Sequence, residues 1–203
     1  MPALYQHDPF VFLQGLLSPH VAWVEILWVI LTVACEGWAM VLIALAFVYT
    51  RTRRLRGLVR ATIPAFAALL LAGLLANGLK ELVHTPRPLA VLDPSRVHVL
   101  LEPLRLHAFP SGHSASAAAL AVWALHRFGR PAWPLLILAI LGGISRVAVG
   151  AHWTFDVFGG WAIGALAALL VRALELHLAR RRAAVAAGTA ASALEAKPPP
   201  RGA

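Results

Sequence analysis

An all-α, polytopic bundle of membrane-spanning helices is the fold this sequence predicts, on three observations. Apolar residues make up 60% of the 203 residues and charged residues only 13%; the mean hydropathy is +0.73. A soluble globular domain is about half apolar and a quarter charged. Five stretches are apolar enough, and long enough or nearly so, to cross a bilayer, which takes about 20 residues. The arginines gather at alternate ends of those stretches, as the cytoplasmic excess of basic residues in membrane proteins requires.

Taken in order, residues 9–18 (PFVFLQGLLS) are apolar but too short to span. Residues 1–20 are expected to form an N-terminal segment whose helix lies in the interface. They carry Asp8, Pro9 and Pro19 and no basic start, so no cleavable signal pattern is expected and insertion relies on the spanning helices. The first span is 21–50, ending at Arg51, Arg53, Arg54 and Arg56. The second is 59–82, which takes in Lys80, and the third is 112–128, closing at Arg127 and Arg130. The fourth is 132–150 and the fifth 153–178, stopped by Arg180, Arg181 and Arg182. The connections hold Pro, Gly or charge, as breakers should. Residues 21–180 thus form one transmembrane domain. Residues 181–203, Ala-rich and closing on Lys-Pro-Pro-Pro-Arg-Gly-Ala, are expected to be a disordered cytoplasmic tail.

Putting the 51–60 loop in the cytoplasm brings the 127–131 turn and the 180–182 end to the same side, so the arginine bias is met three times. The N-terminus, the end of the second span, the 88–111 loop and the turn near 150 then lie outside. The formal charge of +9 is accounted for by this topology and by anionic lipid headgroups, not by nucleic acid. A single cysteine, Cys35, excludes a disulfide framework and a cysteine metal site.

Three polar clusters interrupt the apolar chain, all at the outer side, and polar groups at membrane depth mark function by default. The first runs from Lys80 to Arg87-Pro88. Two helical turns would put both cations on one face, with Pro86 and Pro88 ending the helix; the alternative is two snorkelling side chains. The second is Pro110-Ser111-Gly112-His113. Ser111 suits a helix N-cap, and the helix N-terminus behind it suits phosphate. Gly112 would let a ligand approach the backbone closely, and His113 sits in the first turn, placed to donate a proton. An ordinary cap with an interfacial histidine is the alternative. The third is Ser145-Arg146 followed by His152 and Asp156. The i, i+4 spacing puts histidine and carboxylate on one face, so the carboxylate would fix the tautomer and leave the other nitrogen free to attack. Arg146 offers a bidentate fork for phosphate, and Gly150 lets the chain turn. A structural His–Asp pair at a helix start is the alternative.

These clusters resemble the phosphatidic acid phosphatase type 2 superfamily, which shares its site with vanadium haloperoxidases. The family pattern K-x6-R-P, P-S-G-H and S-R-x5-H-x3-D is matched by Lys80, Arg87-Pro88, Pro110 to His113, Ser145-Arg146, His152 and Asp156. The resemblance covers about residues 21–178 in helix order. Many members have six spans, whereas five and an interfacial segment are counted here. The resemblance implies that His152 is the nucleophile and forms a phosphohistidine, that Asp156 orients it, and that His113 protonates the leaving oxygen and then activates water. Lys80, Arg87, Arg146, Ser111 and the Gly112 N–H would hold the phosphoryl oxygens. No cluster offers metal-ligand spacing, so no cofactor and a metal-independent reaction are expected. The implied substrate is a lipid phosphate or pyrophosphate in the bilayer, with undecaprenyl pyrophosphate preferred over phosphatidic acid and phosphatidylglycerol phosphate. The arginine bias turns the site outward and the Ala, Leu and Arg bias of the composition points to a bacterium, so a bacterial inner membrane with the site facing out is expected. A haloperoxidase is disfavoured by the apolar spans, and a binding-only protein by the intact set of reactive residues; a phosphotransferase is left open.

Other polar residues carry weaker readings. Glu36 lies near the middle of the first span, where a charge is expensive; it is either protonated or turned to a polar neighbour. His84, His98 and His107 read as loop or rim histidines, and Glu25 as solvated. Trp23, Trp133, Trp153 and Trp161 read mostly as interfacial anchors.

Overall fold

The computed structural model of the chain describes residues 7–18, 20–52 and 55–195. Among these residues it forms eight α-helices and no strand. In chain order they are α1 (Phe10–Leu17), α2 (Ala22–Ala34), α3 (Gly37–Thr52), α4 (Leu55–Val83), α5 (Pro88–Val91), α6 (Gly112–Phe128), α7 (Trp133–Ala148) and α8 (Thr154–Glu195). Short 3-10 turns at Pro94–Arg96 and Arg130–Ala132 complete the connections.

Local chemistry sets the ends that matter for function. α4 stops at Val83 because Pro86 and Pro88 follow and bias the chain to extended backbone. Ser111 caps α6, its side chain accepting from the Ser114 amide. α7 gives way at Gly150, whose φ of +75° is the left-handed conformation that favours glycine. A Cβ there would also come within 2.4 Å of the His98 carbonyl oxygen. The reversal that presents His152 therefore depends on a glycine.

α6 is the central helix, packed against α3, α4, α7 and α8. Its alanines let neighbours close in: Ala115, Ala117, Ala119, Ala121 and Ala124 are buried. On α8, a Cβ on Gly160 would lie 2.4 Å from the Ser111 carbonyl oxygen, and one on Gly164 would lie 2.1 Å from that of Ala115. Backbone meets backbone here, as small residues allow inside a membrane. Large apolar side chains such as Leu70, Leu74, Leu166 and Leu170 stay exposed on the outside of the bundle. In a bilayer that surface meets lipid, which identifies a multi-pass membrane protein.

Three helical stretches, Gly57–Val91, Arg130–Ala148 and Thr154–Thr189, are long and apolar enough to cross a membrane, or up to four if the bent α1–α2 pair counts as one span. The five spans expected from the sequence count 21–50 as one uninterrupted crossing and 112–128 as another. The first stretch is instead broken between α2 and α3 at Cys35 and Glu36, where a carboxylate and a glycine replace apolar residues. The 112–128 stretch is the 17-residue α6, at the short end of the length that crosses a bilayer, packed against α3, α4, α7 and α8. At the other end, α8 stays helical through the arginine trio to Glu195, past the point where a disordered tail was expected. Alanine is the best helix former and dominates that stretch. Residues 1–6 and 196–203 lie outside the described residues.

α1 is more than an interfacial helix. Phe10 is fully buried and meets Trp153 edge-on at 5.5 Å. Gln14 Nε2 donates to the His98 carbonyl at 2.7 Å. Phe12 and Leu16 remain exposed. Trp153 is likewise no interfacial anchor: it is 2% exposed and donates from Nε1 to the Pro86 carbonyl. Trp161 donates inward to the Ala139 carbonyl, whereas Trp23 and Trp133 are exposed.

Candidate active site

The fold brings Lys80, Arg87, Ser111, Gly112, His113, Arg146, His152 and Asp156 together at one end of the bundle. Each is delivered by the end of a helix. Lys80 comes from the last turn of α4, and its Nζ lies 3.6 Å from where a Cβ on Gly112 would sit. Arg87 follows that helix in extended backbone and is 5% exposed. Its Nε donates to the Leu106 carbonyl and its Nη1 to the Ala151 carbonyl, both at 2.9 Å. A guanidinium has five N–H donors, so three remain for an anion. Arg146, in the last turn of α7, is 5% exposed, and its Nε has no partner among the described residues. A buried, unpartnered guanidinium donor is costly unless a ligand meets it.

Ser111 completes the basin. Its Oγ accepts from the Ser114 hydroxyl at 2.9 Å, which leaves its own proton free to be donated. Its backbone N–H donates to the Asp156 carbonyl at 2.9 Å, tying α6 to α8 at the site. The first N–H groups of α6 and their positive dipole end face the same space.

His152 sits on the turn between α7 and α8, 1% exposed. Its Nδ1 lies 3.3 Å from Asp156 Oδ2, which also accepts from the Trp153 amide at 2.9 Å. Asp156 thus does two things at once. It caps the start of α8 in the manner of a capping box, and it faces the ring nitrogen, leaving Nε2 as the free one. Burial first, and then the positive charges of Arg87, Arg146 and Lys80, hold the His152 imidazole well below its ordinary range. The ring is therefore neutral, the form that can attack an electrophile.

His113, in the first turn of α6, borders a second space. A cavity of about 530 Å³ runs from Gly112 and His113 between α3 and α4, walled by Val41, Phe66, Leu69, Leu70 and Leu74. One end of the site is cationic and the other apolar, with His113 at the join. That arrangement can hold a phosphate whose substituent is a hydrocarbon chain.

Several contacts lie beyond what local spacing reveals. Asp8 reaches across the sequence to accept from the Thr154 and Phe155 amides at 3.2 and 3.1 Å, capping α8 in trans. Its only local signal is an Asp-Pro pair before an apolar run. Linear spacing alone offers no metal-ligand set, yet folding brings His20, Glu25 and His98 within reach of one another, and likewise Glu81, His84 and His107. Both groups sit outside the cationic basin, and Glu25 is paired with His98 at 2.9 Å.

Bundle and basin define a class: a multi-pass membrane protein whose helix ends collect three cations and two histidines beside an apolar groove. The PAP2 superfamily matches residues 61–178, more than half of the chain, and this protein belongs to that superfamily. Undecaprenyl-diphosphatase BcrC of Bacillus subtilis (strain 168) is 36% identical over 101 residues, covering 49% of this chain and 51% of that protein. An undecaprenyl-diphosphatase of Sulfolobus acidocaldarius is 31% identical over 134 residues, covering 65% of this chain and 61% of that protein. The chain therefore spans about half to three-fifths of the length of these curated relatives. The crystal structure of Aquifex aeolicus LpxE shares the fold, with a TM-score of 0.65 at 23% identity over 79% of this chain and 92% of that one.

Proposed function

We propose that this protein is a lipid phosphatase that removes a terminal phosphoryl group through a phosphohistidine on His152, acting at the outer face of a bacterial inner membrane. The observation that carries the reading is the join at His113. The apolar groove ends at the same residue as the cationic basin, so a lipid-borne phosphate fits with its chain in the groove and its phosphoryl oxygens among Lys80, Arg87, Arg146, Ser111 and the α6 amides.

In the first step His152 Nε2 attacks phosphorus and the bond to the lipid-bearing oxygen breaks. His113, on the groove side, gives that oxygen a proton. In the second step water attacks the phosphohistidine, its proton goes to His113, and the N–P bond breaks to release phosphate. Asp156 balances the charge that grows on His152. Phosphoryl transfer depends chiefly on positioning and charge stabilisation, and three buried or half-buried cations supply both.

A polyprenyl diphosphate such as undecaprenyl pyrophosphate is the preferred substrate, supported by the names of the two relatives and by the apolar walls of the groove. The test is phosphate release in detergent from undecaprenyl pyrophosphate, phosphatidic acid and phosphatidylglycerol phosphate, with EDTA present. Wild type should release phosphate, the diphosphate fastest, and His152→Ala should lose at least about a thousandfold, the scale on which a nucleophile acts. Faster release from a monoester would shift the substrate. Transfer of the phosphoryl group to an added alcohol instead of water would make it a transferase.

A further inference from the structure

His113 has a neighbour of suitable chemistry outside the three motifs. Glu36 lies with Cys35 at the break between α2 and α3. Its carbonyl accepts from the Met40 amide at 2.8 Å, so it holds the N-cap position of α3, where the helix dipole favours a carboxylate. Trp38 Nε1 donates to Oε2 at 2.5 Å. The other oxygen, Oε1, lies 4.0 Å from His113 Nε2. That nitrogen is buried and has no hydrogen-bond partner among the described residues. A carboxylate within an apolar segment is costly and marks function.

Packing fixes the height of this residue. Cys35 seats against α7 over Gly142, where a Cβ would come within 2.1 Å of the sulfur. One turn earlier, Thr32 Oγ1 and Ser145 Oγ are 2.8 Å apart. Ser145 gives its own proton to the Gly142 carbonyl, so Thr32 is the donor. The break in the helix is thus pinned beside Arg146, and the residue at the break faces His113.

We propose that Glu36 is a positioning residue for His113, accepting the proton of Nε2 so that Nδ1 exchanges protons with the leaving oxygen and then with water. The inference rests on the phosphatase reading above and deepens it. The 4.0 Å separation closes to a hydrogen bond when substrate is bound; catalytic contacts are commonly long in unliganded proteins. Glu36 gains and loses no proton over the cycle. Charge explains the need. The groups that face His113 are Lys80 from α4, Arg87 from the stretch after it, Arg146 from α7 and the neutral His152. Three cations oppose a protonated ring, and a carboxylate beside it favours one. Asp156 is already engaged by His152 and the Trp153 amide. The pair Glu36–His113 then mirrors the pair Asp156–His152, one carboxylate for each histidine.

The test has a kinetic and a turnover-free arm, both on the full chain in detergent. Glu36→Gln should lower kcat on the lipid substrate at least about tenfold with KM little changed, within the range of general acid–base effects. Glu36→Asp should recover part of the loss. In a His113→Ala background, Glu36→Gln should cost nothing further. By 15N-histidine NMR, the His113 titration midpoint should fall in Glu36→Gln relative to wild type. An unchanged kcat, an effect that adds in full to that of His113→Ala, or identical His113 titrations would overturn the assignment. If wild type hydrolyses no lipid, the phosphatase reading fails, while the titration still decides the Glu36–His113 contact.

Discussion

His152 couples acidity to folding. Its imidazole is held well below the ordinary value of 6.5 by burial and by three cations, whereas in the unfolded chain it titrates normally. Below pH 6.5 the unfolded chain therefore binds a proton that the folded chain refuses. The stabilisation is complete above that pH and is lost as pH falls from 6.5 toward the folded value, by up to about 1.4 kcal/mol per pH unit. Thermal melting in detergent should show Tm falling on acidification, and His152→Asn should remove part of that fall. Equal acid sensitivity in both proteins would refute the burial argument. Ser111 offers a subtler case. Its hydroxyl oxygen accepts from the Ser114 hydroxyl at 2.9 Å, and among the described residues no acceptor takes its own proton. Ser111→Ala should weaken competitive inhibition by inorganic phosphate about tenfold, the worth of one hydrogen bond to a charged group, with Tm little altered.

Among the elements, α6 and α8 position the site together, since Ser111 is bonded to Asp156 through the backbone and Gly160 and Gly164 admit α6 at backbone contact. Gly164→Val should force the two helices apart at about 1–3 kcal/mol or more, lowering Tm and activity together, while Gly188→Val, with open space around it, should leave both unchanged. The start of α6 was legible from Pro110 to His113 because a cap is a local device. The break between α2 and α3 was not. Residues 21–50 read as one apolar run, and the contacts that hold the break, Cys35 against Gly142 and Thr32 against Ser145, join residues more than a hundred positions apart. The helical stretch after residue 180 shows the reverse error. Disorder is expected there from the Ala-rich, Pro-ended composition, whereas alanine favours helix even without a core.

For the molecule as a whole, composition was enough to give the class, because a bilayer demands helices with apolar exteriors. The residues of the basin were legible because each motif is short and ends a helix, so its place in space follows from its place in the chain. The partners of Glu36, Asp8 and the rim histidines were not, because only tertiary packing brings them together. Orientation is tested directly in a Cys35→Ala background: Asp93→Cys should react with an impermeant maleimide in intact cells and Arg130→Cys only after lysis, and the opposite pattern would turn the site to the cytoplasm. The central claim is that a histidine carries the phosphoryl group. It is tested by quenching the enzyme during turnover of a lipid substrate labelled with ³²P at its terminal phosphate. The account predicts an acid-labile, base-stable label on wild type that is absent from His152→Ala. Label on His152→Ala, or rapid hydrolysis by wild type with no protein-bound phosphate at any time, would contradict it.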